Sequence, residues 1–116
     1  MIVRSGWETR WKSPPSYRNA GPDGSLHFPG YSLEAAKLLV AGRRAVGLGI
    51  DTLSVDYGPS REYEVHRFCA AQGVYHLENV ANLDAVPEAG ATAIVLPMKL
   101  ENGSGAPVRI LAMVRD

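Results

Sequence analysis

Short apolar runs separated by polar, glycine-containing stretches dominate the pattern along this chain. The run from Ala45 to Ile50, made of small and apolar residues, is typical of a buried strand. Three later stretches, Val74 to Val80, Ala91 to Pro97 and Val108 to Val114, predict further strands. Ile2 and Val3 are enough for a short first strand. The pattern therefore predicts five strands.

Two segments between these runs have helical signals. Ser32 can cap a helix whose first turn carries Glu34 and which stops near Gly42. Ser60 can cap a second helix that ends at Gly73. The residues at helical spacing on one face of this second helix are Val65, Phe68, Cys69 and Gln72. Both segments are therefore predicted to be helices.

Strands that alternate with helices favour an α/β domain with a mixed sheet and two main helices. Parallel pairing is expected where the helices cross over, and antiparallel pairing among the last strands. The chain has 116 residues, 46% of them hydrophobic, which suits one compact domain over residues 1–116.

In the segment from Ser5 to Gly30, the apolar residues follow neither the helical period nor the two-residue period of a strand. The segment contains four prolines together with several glycines and aromatic residues, and it predicts a long loop. Its aromatic residues, Trp7, Trp11, Tyr17 and Phe28 among them, favour an ordered loop packed against something. They equally suit a surface that meets a partner or lines a pocket.

Composition narrows the function classes. Lys plus Arg and Asp plus Glu balance at 12 each, so no net field recruits nucleic acid or an anionic membrane, and a small neutral substrate or a protein partner fits better. The single cysteine, Cys69, excludes an internal disulfide and suits a reducing cytoplasm, where it is expected to be a small buried hydrophobe. The apolar runs are far shorter than the ~20 residues of a membrane helix, and the first residues lack the apolar region of a signal peptide.

His66 and Glu78 are the candidate chemical pair. The helix, a turn at Gly73 and the returning strand can bring them together, and both side chains can bind a metal or move a proton. A carboxylate in an apolar strand is costly to bury unless it is paired, protonated or bound to a cation. The alternatives are a structural or surface histidine and an outward-facing glutamate.

Other candidates have simpler explanations. His76 shares a strand face with Glu78 under two-residue alternation, so it could join a set of His66, His76 and Glu78, or be an edge residue. Asp51 and Asp56 could form a carboxylate pair, although aspartates at strand ends more commonly satisfy turn amides. The two remaining features are the Gly103 to Gly105 sequence, expected to be a hairpin turn, and His27, expected to be a solvated loop residue.

Several sequence blocks in order resemble the cyclase family, which includes kynurenine formamidases and isatin hydrolases. The blocks are IVRSGW, FPGYSLEAAKLLVAGRRAVGLGIDTLSVD, the His66 helix, YHLENVANLD and IVLPMKLENGSGAPVRILAMV, and they cover nearly the whole chain. The resemblance is to the carboxyl-terminal half of that family. It implies a partial swivelling β/β/α fold and metal-dependent hydrolysis of a small amide, formamide or lactam with zinc or manganese.

Residue by residue, His66 matches the family's histidine in the helix after the strand, and Glu78 matches the glutamate of its E-N-L block. The resemblance implies that both belong to the metal centre, with His66 as a ligand or a proton shuttle. It also allows Trp7, in the SGW block, to be a wall of the substrate pocket; simple packing is the alternative.

The chain departs from the family in lacking the metal motif H-x-G-T-H-x-D, expected upstream. One hypothesis is an incomplete cyclase-like hydrolase that requires a complementary amino-terminal half for its metal and small-molecule substrate. A second is a non-catalytic module from a truncated or rearranged gene that binds a ligand or forms a homo-oligomer. A third is a fragment of a longer protein, whose exposed sheet edges would favour association.

Overall fold

A computed structural model describes residues 1–114. The chain divides into two compact units, one from Met1 to Leu83 and one that begins at Asp84. Helices, parallel strands and antiparallel strands are all present, which confirms the predicted α/β class. The interpretation of residues 1–116 as one domain stays a prediction.

The first unit contains a parallel sheet of three strands in the order β1-β2-β3. The strands are β1 (Ile2–Val3), β2 (Gly47–Ile50) and β3 (Tyr75–Leu77). Every residue of β2 is buried, as its apolar sequence predicts for the central strand of a parallel sheet.

The segment predicted to be a long loop, residues 5–30, contains short helices. A 3₁₀ turn covers Trp7–Arg10, and the helix α1 covers Pro14–Arg18. Two prolines open α1, where their fixed φ suits the first turn and their missing N–H groups are not needed. Because α1 is only five residues long, helical periodicity could not reveal it in the sequence.

The helix α2 (Leu33–Lys37) continues into a wider π-helical turn over Leu38–Gly42. The Ser32 hydroxyl accepts the backbone N–H of Ala35 at 3.1 Å, so the predicted cap is confirmed. Gly42 also lies at the predicted end of the helical segment.

The helix α3 covers Glu64–Ala71 and begins later than its sequence predicts. Ser60 accepts the N–H of Tyr63 at 3.2 Å within a turn, and it does not cap the helix. Tyr63 has φ of 49°, a left-handed conformation that breaks the helical path before Glu64. The predicted Ser60 cap is therefore wrong.

The core of the first unit lies between the sheet and these helices. Its buried members are Tyr31, Ala36, Leu48, Ile50, Val55, Val65, Cys69 and Val74. Burial, the largest influence, raises the pKa of the Cys69 thiol, which agrees with the predicted small buried hydrophobe.

The second unit contains an antiparallel hairpin. Its strands are β4 (Thr92–Pro97) and β5 (Val108–Met113), and they pair from Thr92 opposite Met113 to Pro97 opposite Val108. Both strands agree with the apolar runs in the sequence, and the GSG sequence lies in their connection.

No helix in the described part of the chain is long and apolar enough to cross a membrane.

Candidate functional site

The candidate site lies at the carboxyl edge of the parallel sheet. Asp51 follows the last residue of β2, and Glu78 follows the last residue of β3. Because β2 and β3 run parallel, their carboxyl ends meet at one edge. Ligands of open α/β sheets bind in crevices at this kind of edge.

His66 lies in the first turn of α3 and is held there by Asp56. The Asp56 carboxylate accepts the backbone N–H of Val65 at 2.9 Å and that of His66 at 3.1 Å. Its Oδ2 atom also lies 2.7 Å from Nδ1 of the His66 ring. One carboxylate from the loop after β2 therefore caps α3 and contacts the imidazole.

Asp56 is only 3% exposed, yet its surroundings favour the ionised form. Burial is the largest single influence on its pKa and opposes ionisation. Hydrogen bonds from the His66 ring and from the backbone N–H groups of Val65 and His66 outweigh it together, and they hold the pKa below its ordinary value. Asp56 is therefore an acceptor.

Glu78 contacts the other side of the His66 ring. Its Oε1 atom lies 3.3 Å from Nε2 of His66 and accepts the backbone N–H of Val55 at 3.1 Å. The two side chains are about one third exposed, at 36% for His66 and 30% for Glu78, so an external group can reach them. The structure thus brings together the pair singled out in the sequence, while their chemical roles stay a prediction.

His76 packs against His66, with ring centroids 4.7 Å apart and an interplanar angle of 57°. Its Nε2 atom is buried and has no hydrogen-bond partner within residues 1–114. Burial, followed by the charge of His66, lowers the pKa of His76, although Glu78 and Asp56 act in the opposite direction. The net effect favours the neutral form of the imidazole beside the pair.

Within the described residues, no group of three or more His, Cys, Asp or Glu side chains is arranged to hold a metal ion. The alternative set of His66, His76 and Glu78 is therefore not assembled as a three-ligand site. In its place, the ring of His76 stacks at a tilt beside that of His66.

Asp51 and Asp56 do not form the carboxylate pair considered from the sequence, because they bind different partners. Asp51 is fully buried and accepts the Ser5 hydroxyl at 2.6 Å, the Ser5 N–H at 2.9 Å and the Glu8 N–H at 3.3 Å. Both aspartates satisfy backbone amides, as the simpler interpretation predicts.

Trp7 and His27 have local contacts. The Trp7 indole N–H donates to the carbonyl oxygen of Tyr17 at 2.9 Å, and the Arg10 guanidinium lies 3.9 Å from the centre of its ring. These contacts are sufficient to explain the position of Trp7 by packing. Its place in a pocket wall stays a prediction. His27 is exposed and its Nε2 lies 3.0 Å from the Ser25 hydroxyl, as expected of a loop residue.

Sequence reasoning missed the contact between Asp56 and His66. The available signal was an acidic residue shortly before a helix, which is a favourable position next to helix N–H groups. Ser60 lay closer to the helix and had the more familiar capping pattern. The chain reversal that carries Asp56 back to the first turn of α3 had no local signature.

His66 and Glu78 fit two neighbouring ligands of one metal ion. Nitrogen and oxygen ligands lie about 2.1 Å from zinc, so two of them at a tetrahedral angle are about 3.4 Å apart. The 3.3 Å between Nε2 and Oε1 agrees with that separation. Nδ1 faces the Asp56 carboxylate, which leaves Nε2 as the nitrogen available to a metal.

Comparisons with known proteins point to one family. The model of the putative cyclase family matches residues 1–57. An isatin hydrolase of Roseibium aggregatum is 31% identical over 118 aligned positions, which cover 98% of this chain and 44% of that protein. A kynurenine formamidase of Paracidovorax citrulli is 40% identical over 62 positions, which cover 53% of this chain and 28% of the relative.

The fold of the chain is also similar to that of a solved relative. Isatin hydrolase A from Ralstonia solanacearum matches with a TM-score of 0.91 and 32% identity, over 98% of this chain and 44% of that one. The predicted cyclase-like fold is therefore confirmed. The chain spans less than half the length of these relatives.

Proposed function

Because this chain belongs to the cyclase family, we propose that it provides one side of a metal-dependent hydrolase site that acts on a small amide, formamide or lactam. The observation that supports the proposal is the array in which His66 lies between Asp56 and Glu78 at the carboxyl edge of the sheet. The relatives named as isatin hydrolase and kynurenine formamidase suggest the class of substrate.

In this proposal His66 and Glu78 are metal ligands through Nε2 and Oε1. A histidine nitrogen and a carboxylate suit both zinc and manganese. When bound, such an ion supplies Lewis acidity that activates water and polarises a carbonyl group. The remaining ligands would come from a complementary amino-terminal half.

The alternative role of His66 in the proposal is that of a proton carrier, because the electron pair of Nε2 that binds a metal ion cannot also accept a proton. With a proton on Nδ1, a neutral ring has a free electron pair at Nε2, which accepts a proton from a group on the exposed side of the ring. Oε1 of Glu78 lies 3.3 Å from this nitrogen and accepts the N–H of Val55. Trp7 is proposed as a wall of the substrate pocket.

The proposal is tested by metal binding and hydrolysis. Zinc and manganese binding to the chain is measured by titration calorimetry, alone and with an amino-terminal half supplied from a relative. Hydrolysis of isatin and N-formylkynurenine is measured on the same samples. We expect His66→Ala and Glu78→Ala each to weaken metal binding and to reduce hydrolysis by at least tenfold, because each removes one ligand.

His27→Ala is the matched control, since it removes an exposed histidine whose ring contacts the Ser25 hydroxyl two residues away. It should leave metal binding and hydrolysis unchanged. Absence of zinc and manganese binding with and without the supplied half would refute the proposal. Equal losses in all three variants would show that the effect is not specific to the site.

The hairpin supports a second candidate function, a module that associates with a complementary half or with itself. One face of β4 and β5 exposes three large apolar side chains: Leu96, Leu111 and Met113. Apolar surface of this kind marks association sites. Light scattering should show a dimer that Leu111→Lys dissociates, and a monomer both alone and with the supplied half would count against this function.

A further inference from the structure

We infer that Asp56 is a positioning residue that fixes which nitrogen of His66 carries the proton, and which nitrogen faces the open side of the site. The inference deepens the proposed function. It rests on that function only for the use to which the contact between Asp56 and His66 is put. The contact itself is present whether or not a metal binds.

Asp56 makes one more contact than a helix cap requires. One or two backbone N–H groups satisfy a capping carboxylate, and Val65 and His66 supply two. The third contact, from Oδ2 to Nδ1 of His66, is the shortest of the three at 2.7 Å. Since Oδ2 also accepts the N–H of His66, the ring and the backbone of one residue meet at a single oxygen.

The hydrogen bond from His66 Nδ1 to Asp56 is the contact that fixes the orientation of the His66 ring. The His66 side chain is 36% exposed, so burial alone does not fix it. His76 lies beside the ring with 4.7 Å between centroids, and Glu78 lies at the Nε2 end. A ring rotated by half a turn would place a carbon atom against the Asp56 carboxylate and would lose the hydrogen bond.

The chemistry of the acceptor sets the tautomer. An ionised carboxylate has no proton to donate, so Nδ1 must carry the hydrogen of this bond. A neutral ring then has its free electron pair on Nε2, 3.3 Å from Oε1 of Glu78. A metal ligand or proton acceptor at Nε2 requires this tautomer, and carboxylates behind histidines commonly enforce it.

The experiment uses the full chain without added metal. Nitrogen-15 labelled histidine is observed by NMR at a pH of about 8.5, and the nitrogen chemical shifts report which ring nitrogen carries the proton. The unsubstituted chain should show His66 with the proton on Nδ1. In Asp56→Asn an amide N–H can replace one acceptor, and the population with the proton on Nε2 should rise at least severalfold.

Asp51→Asn is the matched control, because Asp51 is as deeply buried and also accepts three hydrogen bonds, none of them from His66. It should leave the tautomer of His66 unchanged. A proton on Nε2 in the unsubstituted chain would overturn the inference even if Asp56→Asn failed to fold. An unchanged tautomer in folded Asp56→Asn would overturn it as well.

Zinc titration of the same samples separates the inference from the proposed function. We expect Asp56→Asn, with the amino-terminal half supplied, to bind zinc 10- to 100-fold more weakly than the unsubstituted chain. If the unsubstituted chain binds neither zinc nor manganese, with or without the supplied half, the proposed function fails. The NMR result then still decides whether Asp56 sets the tautomer.

Discussion

Asp51 and Asp56 are buried carboxylates that follow the same strand, and each is surrounded by donors. Burial acts most strongly on the pKa of Asp51 and opposes ionisation, but the Ser5 hydroxyl and the N–H groups of Ser5 and Glu8 together lower it. Asp56 has the same balance, with donors from α3. At the residue scale, both therefore stabilise the fold as anions.

This balance predicts acid sensitivity. Because both pKa values are lowered in the folded chain, the unfolded chain binds protons first as the pH falls. The stabilisation is fully present above the unfolded pKa of about 3.9 and is lost as the pH falls through the lower, folded values. Urea unfolding at several pH values between 7 and 3 should show the loss.

Asp51→Asn should be less stable at neutral pH and should show a shallower decline in acid, because one of the two responsible groups no longer titrates. A decline as steep as that of the unsubstituted chain would show that Asp51 does not contribute to it.

Tyr17 makes the stability of the fold depend on pH in the opposite direction. Its hydroxyl lies 2.9 Å from both the backbone oxygen of Asp51 and Oδ1 of Asn79, and burial, with smaller contributions from Asp51 and Glu8, raises its pKa to about 12. Stability from Tyr17 is therefore fully present below the unfolded pKa of about 10 and is lost as the pH rises towards the folded value. Urea unfolding between pH 9 and 12 should show less alkaline loss in Tyr17→Phe, and an identical loss would contradict the assignment.

At the element scale, the segment of residues 5–30 is tied to the loop after β2 by close backbone contacts. Gly58 donates its N–H to the oxygen of Phe28 at 2.9 Å, and Thr52 donates its hydroxyl to the oxygen of Pro29 at 3.0 Å. A Cβ atom at Gly58 would collide with the backbone oxygen of Leu26. The two segments therefore require a glycine at position 58.

We expect Gly58→Ala to lower the free energy of unfolding by about 1–3 kcal/mol, because the clash is with backbone that cannot move independently. Gly105→Ala is the control, since a Cβ there meets no atom within 4 Å and should change stability by less than about 1 kcal/mol. Chemical denaturation measures both. Equal effects in the two variants would contradict the close approach at Gly58.

At the scale of the whole molecule, the two units differ in burial. The central strand β2 is entirely buried and pairs on both sides, whereas most residues of β4 and β5 are exposed. A hairpin of two strands has little stability by itself in water. Differences in local stability of this kind appear in amide hydrogen exchange.

We therefore expect the amides of Gly49 and Ile50 to exchange at least tenfold more slowly than the paired amides of β4 and β5. Gly49 donates to the oxygen of Met1 at 2.8 Å in a buried environment. Hydrogen exchange followed by NMR gives the comparison residue by residue. Equal protection in the two units would show that they open together.

The sequence by itself determined the features that depend on neighbouring residues. The Ser32 cap of α2, the buried strand β2 and the strands of the hairpin follow from local capping and apolar patterns. The sequence blocks also identified the family and indicated His66 and Glu78 as candidate site residues. These signals suffice because the interactions behind them lie within a few residues.

Only the tertiary structure decided how Asp56 and His66 meet, where α3 begins and how residues 5–30 are ordered. The Asp56 carboxylate reaches the first turn of α3 because the chain reverses after β2, and Tyr63 breaks the helical path before Glu64. Residues 5–30 gain their order from Asp51 and from the backbone around Gly58. Such contacts join residues that are distant in sequence, and no local pattern specifies them.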